Sequence, residues 1–314
     1  HGEAEQFLRA ATRLKPTDRV DEGQARAWLS LGHVLETSKP EEALAAYRHA
    51  AELQPKDPEP YLSAGPLLER QNRFAEAEQE YRKALALEPK SAEALIGISN
   101  IYMRGRRFVP AADALRQLLA VRPDYAPAHV QLGRVLAADE KYDEAIVELE
   151  TGLKLSPGDT VARKDLADVY THSGKYEQAM GLYQLLIREN PNDPLLHQSL
   201  GQAYMKQRNF PAAQNEFQQA VKLKPDFGPA YGDLAFAANE NKNYELVVRA
   251  LDARAKLLSE LPITYFLRAT ALDRMRSYKE ASLNYRRFLE IANGEFPDQE
   301  WQARHRLIAI EPKK

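Results

Sequence analysis

The sequence predicts an all-α chain of stacked antiparallel helix pairs, on three observations. Prolines recur every 34 residues at Pro55, Pro89, Pro123, Pro157, Pro191 and Pro225. Aromatic residues keep that period over seven units, from Phe74, Phe108 and Tyr142 through Tyr176, Phe210, Tyr244 and Tyr278. Small residues keep it at two further offsets, one running from Gly65, Ser99 and Gly133 to Ala269, the other from Ala77, Ala111 and Ala145 to Ala281 with Val247 interposed. A period of this length marks a repeat array, in which each unit buries its apolar face only against its neighbours.

One unit, 58–91, justifies its elements in order. Tyr61, Ala64, Gly65 and Leu68 fall at i, i+3, i+4 and i+7, one face of a helix. The polar stretch Glu69-Arg70-Gln71-Asn72-Arg73 is a turn. Phe74, Ala77, Tyr81, Ala84 and Leu85 form a second helical face. Gly65 and Ala77 let the two helices approach, and Tyr81 and Phe74 fill space against the next unit. Pro89 stops the second helix, since its ring and missing N–H cannot continue it. Asp57-Pro58 and Asp193-Pro194 restart helices, aspartate as N-cap and proline in the first turn.

Applied along the chain, the pattern gives eight units: 25–57, 58–91, 92–125, 126–159, 160–193, 194–227, 228–261 and 262–295. The first is one residue short in its turn. The last two carry Ser259 and Asn293 where the closing proline is due. Ahead of them, Ala4, Leu8, Ala11, Leu14 and Pro16 make residues 3–16 the second helix of a truncated unit, with 19–24 inserted after it. That helix lacks a first-helix partner, so self-association through 3–16 is an expectation. The chain opens His1-Gly2 rather than with Met, so sequence ahead of it is expected too. Residues 298–311 form a capping helix started by Asp298, with Trp301, Leu307, Ile308 and Ile310 as its apolar side. Pro66 falls mid-helix, removes the bond to the Leu62 carbonyl, and is expected to kink the helix.

A 34-residue helix–turn–helix with small, Ala, aromatic and Pro residues at these offsets resembles the tetratricopeptide repeat (TPR) family. The resemblance covers almost the whole chain. It implies a right-handed superhelical solenoid whose first helices line a concave groove, and a role in binding proteins or peptides. It implies nothing so specific about the partner, because fold does not fix function.

Chemistry is sparse. The chain has no cysteine, which removes disulfides, thiolate metal sites and a cysteine nucleophile. Such a chain suits the cytoplasm and the periplasm equally, with a slight lean to a bacterial periplasm or cell envelope. Net charge is −2, from 43 Lys+Arg against 45 Asp+Glu, which argues against nucleic acid as a partner. No apolar run is long enough for membrane insertion. None of the seven histidines has metal-ligand spacing, and His129 and His197 read as packed side chains. No nucleotide-binding or nucleophile-elbow motif occurs. The reading is therefore a non-catalytic scaffold with no cofactor and no metal. Its alternative is a recruiting arm of a larger enzyme whose catalytic domain lies outside this sequence.

By the resemblance, positions 2, 5, 9, 12 and 13 of each unit face the groove. Apolar Leu62, Ile96 and Val130 form a stripe there, with Met103 beside them. Arg70, Arg104, Arg134, Lys164 and Lys206 make it basic, and Asn100, His172, Gln198 and Gln202 add polar contacts. The expected ligand is an extended or helical segment with apolar and acidic side chains. The Lys/Asn pair by which some family members clamp a terminal carboxylate is broken here: Asp168 follows Lys164, and Ile96 precedes Asn100.

Overall fold

The computed structural model describes residues 2–13 and 20–311. Among these, every regular element is a helix. After α1 (Gly2–Ala11), eight pairs follow: α2 (Val20–Leu35) with α3 (Pro40–Leu53), α4 (Glu59–Arg70) with α5 (Phe74–Leu87), α6 (Ala92–Arg104) with α7 (Phe108–Val121), α8 (Ala126–Ala138) with α9 (Tyr142–Leu155), α10 (Thr160–His172) with α11 (Tyr176–Glu189), α12 (Pro194–Lys206) with α13 (Phe210–Leu223), α14 (Gly228–Glu240) with α15 (Tyr244–Ala255), and α16 (Pro262–Arg274) with α17 (Tyr278–Ala292). Helix α18 (Pro297–Ile310) comes last. Two compact bodies result, residues 1–162 and residues 163–314. In the N-terminal body α4 packs on α6 and α6 on α8; in the C-terminal body α12 packs on α14 and α14 on α16.

Punctuation in the sequence sets the helix ends. Six second helices, those ending at Leu53, Leu87, Val121, Leu155, Glu189 and Leu223, stop two residues before their proline, because the residue ahead of a proline is driven out of the helical region. Where Ser259 replaces proline, α15 stops at Ala255, and the turn is organised by buried Arg254, whose Nη1 donates to the Ser259 carbonyl (3.1 Å). Asp193 caps α12, accepting the Leu195 N–H (2.8 Å). Asp57 accepts from Glu59 N–H at the start of α4 (3.0 Å). Helix α4 runs without a break through Pro66.

The turns inside the units share a geometry that the sequence conceals. From the second unit to the eighth, one residue in each turn has positive φ: Asn72, Arg106, Glu140, Gly174, Arg208, Lys242 and Arg276. The following amide then bonds the carbonyl five residues back, as Arg73 does to Leu68 (2.9 Å), Arg107 to Tyr102 (2.8 Å) and Asn209 to Tyr204 (2.9 Å). This left-handed closure satisfies the last carbonyls of the first helix. Glycine meets its steric demand only at Gly174; the other six positions tolerate it with a Cβ.

Close approach carries the packing. The buried Tyr81 ring lies against Gly65 of its own unit and Gly97 of the next; a Cβ built there would stand 2.5 and 2.3 Å from ring carbons. Phe217 rests on Gly201 and Leu149 on Gly133 in the same way.

The two ends differ from expectation. Helix α1 packs on α2, and Arg9 and Glu5 reach across to Glu42 and Lys39. Its Leu8 and Ala11 are half-buried while Phe7 is 76% exposed; Leu14, Pro16 and Arg19 lie outside the described residues. Residues 20–24, expected as an insertion, extend α2. At the other end, Phe296 rather than Asp298 holds the N-cap of α18, and Asp298 lies in the first turn. The inward side of α18 is Ala303, Leu307 and Ile310, at i, i+4 and i+7; Trp301 and Ile308 point outward, 60% and 76% exposed.

Candidate functional site

Exposure along the first helices grades with position. At position 5, Leu62 and Val130 are buried, 6% and 4% exposed, and Ile96 is half-buried. A ligand floor through Leu62 and Val130 therefore corrects to core: Val130 fills the opening left by Gly152 on the second helix of its unit. At position 12 Met103 is half-buried, whereas Met205 packs against the core around Phe217. At position 13, Arg70, Arg104, His172 and Lys206 are all exposed.

Several of the expected cations are already engaged. Arg70 pairs with Glu36, which also accepts from the Tyr47 hydroxyl. Burial works to raise the Glu36 carboxyl, but the Tyr47, Arg70 and His33 contacts outweigh it and hold it below the usual carboxylate range. Lys164 donates to Asp168 (2.7 Å), and the Tyr183 hydroxyl donates to the other Asp168 oxygen. Arg306 and Tyr285 meet Asp273 in a third version of the motif. In the N-terminal body Arg104 is stacked over Phe74 (5.1 Å), and Arg134 donates to the Gln131 side-chain carbonyl (3.5 Å), with Gln131 donating to Asn100 (2.6 Å). Ile96 and Met103, both half-buried, lie on the same helix as Arg104. In the C-terminal body Gln198 and Gln202 both donate to Asp233 (2.7 and 3.1 Å), whose carboxyl burial pushes above its ordinary range against the pull of those amides. The His172 ring meets the Asp168 carbonyl (2.8 Å).

Two of these networks repeat at a spacing of 31 residues, Asn100 to Gln131 and Gln202 to Asp233, linking position 9 of one unit to position 6 of the next. That signal lies in the sequence but becomes legible only when units are aligned in pairs. His129 and His197 are built into the framework: their Nδ1 atoms meet Glu148 and Glu216 (2.7 Å each) and their Nε2 atoms the carbonyls of Pro123 and Pro191.

The phenols make a pH prediction. Burial first, then the facing carboxylate, raise Tyr47, Tyr81, Tyr183 and Tyr285 well above the ordinary tyrosine range. A raised folded pKa gives stability that is complete below the unfolded value of about 10 and is lost as pH climbs past it. These four phenols are expected to ionise together with helix loss, after the exposed tyrosines. Phenolate absorbance read beside circular dichroism checks this; one titration near pH 10 for all tyrosines, with helices intact, would contradict it.

Comparison with known proteins follows this geometry. Tetratricopeptide repeat profiles match residues 25–57, 68–134, 136–203 and 194–227. The chain belongs to the tetratricopeptide repeat family. Similar solved structures include the TPR protein YrrB, 24% identical over 60% of this chain and 96% of its own, with a TM-score of 0.51. A tetratricopeptide repeat protein from Parabacteroides merdae is 17% identical over 86% of this chain and 100% of its own, with a TM-score of 0.57. The C-terminal part of a TPR repeat-containing protein from Cytophaga hutchinsonii is 16% identical over 73% and 95%, with a TM-score of 0.60. No curated protein matches the sequence. TPR chains are generally non-catalytic, and the repeats support a protein–protein interaction scaffold. Among the described residues, no group of His, Cys, Asp and Glu is placed to hold a metal, and no helix is long and apolar enough to cross a membrane.

Proposed function

We propose that this TPR chain binds an extended segment of a partner protein on the first-helix face of its N-terminal body, without catalysing a reaction on it. The observation that carries the reading is the first-helix face with Ile96, Met103, Arg104 and Arg134, where the exposed guanidinium of Arg104 and the half-buried one of Arg134 accompany half-buried apolar side chains. Phe74 beneath Arg104 and Gln131 beside Arg134 limit the freedom of these side chains, so less order has to be imposed when a ligand arrives. A segment with an acidic residue next to an apolar one fits, since the planar arginine fork grips a carboxylate by two hydrogen bonds. The similar YrrB is itself a TPR protein with an unusual peptide-binding site, and the same class of ligand is proposed here.

Arg104→Glu with Arg134→Glu is expected to abolish capture of the native partner. Truncating a charged contact in a desolvated site costs about 2–5 kcal/mol, and reversal costs no less. Helix content should stay unchanged. The matched reversal on a second helix, Arg82→Glu with Lys83→Glu, should leave capture intact. Loss of binding in the second pair alone would place the interface on the opposite surface.

A further inference from the structure

The C-terminal body carries a pocket of about 500 Å³ between its last helix pair and α18. Phe266 and Tyr285 stand edge to face in it (6.1 Å, 63°). Asp273, the carboxylate in its lining, is fully occupied: Arg306 Nε and Nη2 donate to its two oxygens at 2.7 Å, and the Tyr285 hydroxyl adds a contact at 3.3 Å. Arg274 and Arg276 also line it, both exposed, their side chains making no hydrogen bond or ion pair among the described residues. Three guanidinium groups against one carboxylate leave the lining positive, in a chain of net charge −2. The outer wall is the Trp301 indole, 60% exposed and stacked on His305 at 3.9 Å.

We infer that this pocket takes an acidic peptide segment, a carboxylate beside an aromatic or aliphatic side chain. The carboxylate meets the planar forks of Arg274 and Arg276. The neighbouring apolar side chain lies on Trp301 and the exposed edge of Tyr278. Backbone donors do not compete for the anion, because the amides of Met275, Arg276 and Ser277 are spent on Ala271, Asp273 and Leu272. That separates the site from the backbone cradles that hold phosphate. The pocket shares no residue with the Arg104–Arg134 patch, so either can fail while the other stands.

The test uses the full chain carrying Trp28→Phe, which leaves Trp301 as its one tryptophan. The probe is an acetylated hexapeptide alternating aspartate or glutamate with phenylalanine, as free acid and as C-terminal amide. Its neutral counterpart has asparagine and glutamine instead. Trp301 emission should change as the acidic peptide is added, and the neutral peptide should bind at least about tenfold more weakly. Arg274→Glu with Arg276→Glu should weaken binding at least about tenfold, and Arg274→Gln with Arg276→Gln by less. Reversal of exposed Arg249 and Lys256 on the same body should change it by less than about twofold. Equal binding of acid and amide assigns the contact to side-chain carboxylates, and loss with the amide assigns it to a chain terminus; both uphold the pocket. No change in emission at millimolar peptide would overturn it. So would equal binding of the neutral peptide, equal loss from the Arg249 and Lys256 reversal, or tighter arginine-dependent binding of single-stranded oligothymidylate.

Discussion

Gly97→Val is expected to destabilise the N-terminal body by about 3 kcal/mol, the upper end of the cost of overpacking a core. The first added carbon alone would stand 2.3 Å from the Tyr81 ring. That ring is 2% exposed, lies against Gly65 as well, and is held at its hydroxyl by Glu69 (2.7 Å). It has little room to retreat without moving its helix. Gly97→Ala should cost less, because alanine recovers about 1 kcal/mol of helix propensity over glycine. A urea midpoint measured for each variant checks the order. Valine costing no more than alanine would show that the two units do not meet through this ring.

Glu260→Ala is expected to cost about 3 kcal/mol in the C-terminal body. Buried Arg268 donates to Glu260 (2.7 Å) and faces Asp252 at 3.2 Å. Removing one partner strands a charge with little access to water, which is the expensive half of breaking a buried pair. Asp252 is more exposed and compensates in part, hence the lower end of the range. The equivalent position is apolar in every other unit, leucine in five (Leu31, Leu132, Leu166, Leu200 and Leu234) and Ala64 or Ile98 in the remaining two. Arg268→Leu with Glu260→Ala should therefore recover most of the loss, since an apolar side chain fits where a buried ion pair stood. Thermal unfolding of the two variants decides: a double variant as unstable as the single one would mean that the pair shapes the turn rather than neutralising a charge.

The period was fully legible because it is enforced at many positions at once. Gly65 and Gly97 must stay small for Tyr81, and each proline must follow its helix at a fixed distance. The turns were not legible, because Arg106, Glu140 and Arg208 adopt a left-handed conformation that composition assigns to glycine. The depth of position 5 was misread for Leu62 and Val130, since a leucine or valine looks the same on an exposed stripe and in the seam between helices. Pairing of Arg70 with Glu36 and Lys164 with Asp168 escaped for a related reason. Charge counted along a face does not reveal which carboxylate a buried tyrosine has already fixed beside it. Arg104 differs from these, since its guanidinium lies over the Phe74 ring.

Photo-crosslinking tests the central claim, recognition on the first-helix face, most directly. A benzophenone side chain replaces Met103, next to Arg104, in one protein and Arg116, on the second helix α7, in another. The account predicts that the captured partner crosslinks from position 103 and not from position 116. Crosslinks from 116 with none from 103 would contradict it.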